Sequence, residues 1–132
     1  MPIPSPGKYE LRILLVEDHA DSRAMMSRLL TLAGYLVIPA TGYADALRQA
    51  EGIAFDVLLA DLALPDGCGW ELAMRLRDDH RFAAIAVSGH GTSADIERSR
   101  SVGYCEHLTK PINFDRLLAA VARCHEQATH AA

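Results

Sequence analysis

Short apolar runs alternate five times with segments whose apolar residues recur every three or four positions. The runs cover residues 11–16, 35–38, 55–60, 83–87 and 104–108, and each is short, apolar and bounded by turn-forming residues, as buried strands are. The segments between them predict helices. The first carries Met25, Met26, Leu29, Leu30 and Leu32, with Asp21 or Ser22 as its cap and Gly34 as its stop. Pro39 is expected to end the second strand. A short helix over 43–50 turns Ala46, Leu47 and Ala50 inward, and one over 70–77 pairs Leu72 with Leu76. Between them, the 61–69 loop holds one proline and two glycines and should turn sharply. The helix over 94–102 is weak, because Ile96 and Val102 are nearly its whole apolar content. The last helix, over 114–125, buries Leu117, Leu118 and Val121 and is capped by Asn113.

Strands separated by helices require βαβ units, hence a parallel sheet with right-handed crossovers and helices on both faces. The fold class is therefore α/β, and 132 residues suit one domain with a single well-buried core. The proline-rich residues 1–9 read as a linker and suggest a chain cut from a longer protein, residues 10–126 read as the domain, and 127–132 as a frayed tail.

Composition narrows the function. Half the residues are hydrophobic, which excludes a disordered chain, and the net charge of −4 gives no basic surface for nucleic acid. No apolar run approaches the roughly 20 residues that span a bilayer, so no membrane contact is expected and the location expected is cytoplasmic. Cys68, Cys105 and Cys124 are odd in number and widely spaced, and are expected to be free thiols.

The chemistry lies just past the strand ends. Glu17 and Asp18 follow the first strand, Asp61 the third, Ser88 the fourth and Lys110 the fifth. In an open parallel sheet the carboxyl ends of the strands open onto one crevice. Three carboxylates, a hydroxyl and an ammonium would meet there, which suits metal-assisted transfer of a phosphoryl group to Asp61. A divalent cation would offset the repulsion between that carboxylate and an anionic donor. Mg²⁺ (or Mn²⁺) wants hard oxygen ligands, supplied by Glu17, Asp18, Asp61 and a main-chain carbonyl of the Asp61 loop. Lys110 would set a compact positive charge on the phosphoryl oxygens, and the Lys110–Pro111 bond could be of either isomer. Gly89 would leave the pocket open, while Ala63 and His90 flank its entrance.

The segments 14–18, 56–67, 86–89 and 108–111 together resemble the receiver domains of two-component response regulators, over residues 11–125. The resemblance implies a flavodoxin-like (βα)5 doubly wound sheet in the order 2-1-3-4-5. It implies Asp61 as phosphoacceptor, Asp18 as a direct metal ligand, Glu17 acting through water, and the Ala63 carbonyl as a further ligand. Ser88 and Lys110 would bind the phosphoryl group. His107 stands where the family has an aromatic switch residue, and either turns inward on activation or is a partly buried strand residue and no more. The 103–112 segment is more similar to receivers attached to hybrid histidine kinases than to those fused to DNA-binding domains. The implied donor is a histidine kinase or its phosphotransfer domain. The implied output is a downstream protein, or self-association, through the face of the fourth helix, fifth strand and last helix. Such a domain is not an enzyme in the ordinary sense, although it catalyses its own phosphoryl transfer and dephosphorylation.

Three other readings compete. An aspartyl-phosphate hydrolase needs a proton-transferring carboxylate two residues after its nucleophile, where this chain has Ala63. A flavin or nucleotide binder needs a phosphate loop after the first strand, where this chain has acids. A partner-binding module of the same fold, working without phosphorylation, is the remaining alternative.

Overall fold

The computed structural model describes residues 11–89 and 91–130. The elements in chain order are β1 (Arg12–Val16), α1 (Ala20–Leu32), β2 (Leu36–Ala40), α2 (Tyr43–Ala50), β3 (Val57–Asp61), β4 (Ala63–Leu64), β5 (Gly67–Cys68), α3 (Gly69–Leu76), β6 (Ala83–Ser88), α4 (Ser93–Ser101), β7 (Glu106–Thr109) and α5 (Phe114–His130). The main sheet is parallel in the order β2-β1-β3-β6-β7. With the two-stranded β4–β5 hairpin set aside, this is the 2-1-3-4-5 order of the flavodoxin-like fold.

Alternation along the strands divides the core. Ile13, Leu15, Val57, Leu59, Ile85 and Val87 face α1 and α5, while Leu14, Val16, Leu58, Ala60, Ala84 and Ala86 face α2 and α3. Period-2 geometry sends successive side chains to opposite faces, and both faces are covered, so every residue of β3 and β6 is buried.

Several expectations are corrected locally. Helix α1 begins at Ala20 with His19 as its N-cap and no side-chain cap bond, so neither Asp21 nor Ser22 caps it. Both lie inside the first turn, where Asp21 still complements the helix dipole. Gly34 closes the helix as expected, at φ 103°, with Tyr35 N donating to Leu30 O. Pro39 does not end β2. It pairs with Leu15 inside the strand, tolerated because β2 is an edge and the missing N–H costs no ladder bond on the open side. The 61–69 loop is not simply a turn, since it folds into the β4–β5 hairpin. The backbone of α5 stays helical to His130, past the expected end at 125, whereas residues 1–9 and His90 lie outside the described residues.

The free-thiol expectation fails for two of three cysteines. Cys105, just before β7, and Cys124, on α5, form a disulfide with their Cα atoms 5.9 Å apart, leaving Cys68 free. Spacing along the chain carried no sign of this, because packing α5 beneath β7 is what brings positions 19 residues apart into bonding range.

Candidate phosphoacceptor site

The carboxyl ends of β1, β3 and β7 bring Glu17, Asp61 and Lys110 into direct contact. Lys110 Nζ donates to Asp61 Oδ2 at 2.7 Å and to Glu17 Oε1 at 3.2 Å. Ala63 N donates to Asp61 Oδ1 at 2.9 Å, so both oxygens of this carboxylate are held. Asp61 and Glu17 are only 5% and 1% exposed, and burying two acids against one ammonium leaves the pocket short of positive charge. The consequence appears at Glu17, whose pKa is raised by burial and by the neighbouring Asp61, against the opposing pull of Lys110. Burial alone would lower the pKa of Lys110, but its hydrogen bonds and attraction to Asp61 and Glu17 outweigh that and raise it.

Asp18 and His19 complete the rim. One ligand atom each from Glu17, Asp18 and His19 lies within 4.8 Å of the others. His19 Nδ1 stands 3.6 Å from Glu17 Oε1 and 3.5 Å from Asp18 Oδ1. From α1, Arg23 Nη1 donates to the carbonyl oxygens of Glu17 (2.9 Å) and Asp18 (3.3 Å), pinning the turn that carries both acids. Among the described residues, two buried oxygens, Glu17 Oε2 and Asp18 Oδ1, accept no hydrogen bond, the second having only the longer contact to His19. Buried carboxylate oxygens left without a partner are costly, and a hard divalent cation is the partner their chemistry suits.

Ser88 and His107 come together beside this pocket rather than within its ion pairs. Ser88 Oγ and His107 Nε2 are 2.8 Å apart, and Lys110 N donates to Ser88 O at 2.8 Å, tying the ends of β6 and β7. The Lys110–Pro111 peptide is cis. A Cβ built on Gly89 meets nothing within 4 Å, so the space over this position is open. At Gly69 the opposite holds, because a Cβ there would come within 2.8 Å of Asp61 O. Glycine at 69 lets α3 start directly against the end of β3.

Sequence reasoning missed three participants: Arg23, His19 as a neighbour of the acids, and Ser99, which bonds the other nitrogen of His107. The position of His19 directly after the acid pair was an available signal. Nothing in the sequence linked Arg23 or Ser99 to the site, since each reaches it from a helix.

Comparison with known proteins agrees with this geometry. The response regulator receiver domain family matches residues 13–122, and the chain belongs to that family. It is 31% identical over 128 residues to the sensor protein EvgS of Escherichia coli K12 and 34% identical over 137 residues to the virulence sensor protein BvgS of Bordetella pertussis. These alignments take in 96% and 91% of this chain but only 10% and 11% of those proteins. The chain thus spans about a tenth of the length of these sensor relatives. Among solved structures it is similar to a CheY-like receiver domain of Methanospirillum hungatei (TM-score 0.83, 26% identity, 92% of this chain and 98% of that one). It is also similar to the non-phosphorylated HemR receiver domain of Leptospira biflexa (TM-score 0.79, 28% identity, 87% and 94%). The protein is a receiver domain of two-component signalling. Among the described residues no helix is long and apolar enough to cross a membrane.

Proposed function

We propose that this domain accepts a phosphoryl group on Asp61 from the phosphohistidine of a histidine kinase or its phosphotransfer domain, and that residues 10–126 are the working unit. The observation that carries this reading is a nearly buried carboxylate, Asp61, held at both oxygens by Lys110 and Ala63 beside two buried acid oxygens that accept no hydrogen bond among the described residues. Such a carboxylate is oriented for attack, and its surroundings accept further positive charge. Glu17, Asp18, Asp61 and the Ala63 carbonyl would hold Mg²⁺ or Mn²⁺. That ion supplies charge neutralisation between carboxylate and donor. Lys110 exchanges its bond to Asp61 for one to a phosphoryl oxygen, and Ser88 donates its hydroxyl proton to another. Gly89 keeps the approach open, and His90 borders it. The domain promotes its own phosphorylation and hydrolysis but turns over no separate substrate.

The donor would meet the mouth of the pocket. There Met25, Met26 and Leu29 of α1 face Pro111, Ile112 and Phe114 across a groove of 260 Å³ that also borders Glu17 and Lys110. Output would pass through the face of α4, β7 and α5, to a downstream protein or a second copy, within the cytoplasm and without nucleic acid. The test is incubation with acetyl phosphate and Mg²⁺, read by intact mass. The wild-type protein gains one phosphoryl group, and Asp61→Asn gains none. A gain that persists in Asp61→Asn removes Asp61 from the chemistry.

A further inference from the structure

The disulfide between Cys105 and Cys124 joins two residues in unlike surroundings. Cys105, directly before β7, is exposed, whereas Cys124 on α5 is only 1% exposed and packs with Leu117, Ala120 and Val121. A thiolate from solution therefore reaches one end of the bond and not the other. Thiol–disulfide exchange needs access to the sulfur under attack, and exposed disulfides are the labile ones.

Both cysteines are also held in place by contacts other than the bond between them. Cys105 N donates to Ala84 O at 2.7 Å, which fixes it to β6. Cys124 is fixed by the apolar face of α5. The residues next to the two cysteines add a second tie, from Arg123 Nε to Glu106 Oε1 at 2.8 Å. With the S–S bond open, these contacts keep the Cα atoms near their present 5.9 Å, inside the range that a disulfide spans. The bond can therefore open and re-form in the folded chain, which is what separates an exchange site from a permanent staple.

We propose that Cys105 and Cys124 form a reversible exchange site for a low-molecular-weight thiol, with Cys105 the sulfur that is attacked and modified and Cys124 the resolving thiol. An incoming thiolate RS⁻ bonds to Cys105 Sγ as the bond to Cys124 breaks. The electron pair leaves on Cys124 Sγ, which takes up the proton that the incoming thiol lost. A second RSH then attacks the mixed disulfide and releases RSSR, leaving a thiol on Cys105. The protein gains two electrons and two protons, and two thiols become one disulfide. In reverse, RSSR modifies Cys105 and Cys124 displaces RSH to restore the bond. Cys105 lies about 16 Å from Lys110 along β7, at roughly 3.3 Å per residue, so the two sites stand at opposite ends of that strand. The proposal does not rest on the phosphoacceptor reading. It places a covalent input from the surrounding thiol pool on the tie between β7 and α5.

The experiment incubates the folded full-length chain with glutathione and glutathione disulfide at varied ratios, quenches with acid, and reads intact mass and the modified peptide. Every protein carries Cys68→Ser, which removes the third thiol and keeps a side-chain cap for Glu71 N. With Cys105 and Cys124 both present, the chain should pass reversibly from internal disulfide to dithiol as the thiol share rises, with any glutathionyl group on Cys105. Cys124→Ala should trap one glutathionyl group on Cys105. Cys105→Ser should react about a hundredfold more slowly, because its remaining thiol is reached only when the fold opens. Equal rates in these two variants would overturn the assigned roles. An internal bond that no glutathione ratio opens without urea would overturn the exchange site, and that arm decides the matter even if Cys124→Ala does not fold.

Discussion

Helices α4 and α5 flank the same strand, β7, yet they are held by opposite means. α5 presents Leu117, Ala120 and Val121, all fully buried, and adds the Cys105–Cys124 disulfide and a bond from Arg123 Nε to Glu106 Oε1 at 2.8 Å. α4 buries one residue, Ser99, and its fastenings are polar: the Thr92 cap bonded to Asp95 N, and the Ser99 contacts with His107 and Trp70. Apolar burial is non-directional and lost only on unfolding, whereas a hydrogen bond can be exchanged for another at little net cost. An element held by exchangeable bonds next to one held by a core can change its state without melting the domain. The contrast puts the exchangeable fastenings beside the site and the apolar, covalently tied ones behind it.

The largest expected effect tests the fixed side. Leu117→Ala should cost about 2–5 kcal/mol by cavity formation, while Ile96→Ala on α4 should cost under about 1 kcal/mol, both read by urea unfolding. Comparable losses would erase the contrast. Next is the covalent tie: reduction of Cys105–Cys124 should lower stability by about 3 kcal/mol, as expected for a loop of this length, with cooperative unfolding retained. Amide exchange in α5 should rise with it, and exchange in α4 should not.

The acid pocket lies between the two regimes. A raised Glu17 pKa means that the folded chain binds this proton more readily than the unfolded chain. Metal-free stability should therefore fall as pH rises from the ordinary value of 4.5 through the raised one, and Glu17→Gln should remove that fall. At neutral pH the variant should be more stable than wild type without metal, by about 1 kcal/mol or a few degrees in Tm. Mg²⁺ should reverse the order by stabilising wild type, by about 1.4 kcal/mol at ten times its Kd. The most local effect tests the polar fastening of α4. Thr92→Ala should cost about 1 kcal/mol, confined to faster amide exchange in the first turn of α4.

Much of this architecture is legible in the order of residues along the chain. The βα alternation, the parallel sheet, the boundaries of α2 and the positions of Glu17, Asp61, Ser88 and Lys110 follow from strand runs ending in polar residues. Errors gathered where local signals compete with context. Asp21 and Ser22 are good caps by propensity, but the chain turns into α1 two residues earlier, where Arg23 holds the carbonyls of Glu17 and Asp18. Pro39 is a strand breaker in a central strand and harmless in β2, and no local pattern says which strand is the edge.

The sequence alone determined which residues could form strands and helices, because periodicity is a property of neighbours along the chain. It also determined which polar residues stand at strand ends, since that is a matter of order. Tertiary structure decided what those residues touch. Lys110 between Glu17 and Asp61 spans 93 and 49 positions, Asp66 capping the N–H groups of Tyr43 and Ala44 spans 23 and 22, and the Cys105–Cys124 bond spans 19. The physical reason is that such contacts are set by strand order and helix packing, which depend on the burial of the whole core and not on the identity of either partner.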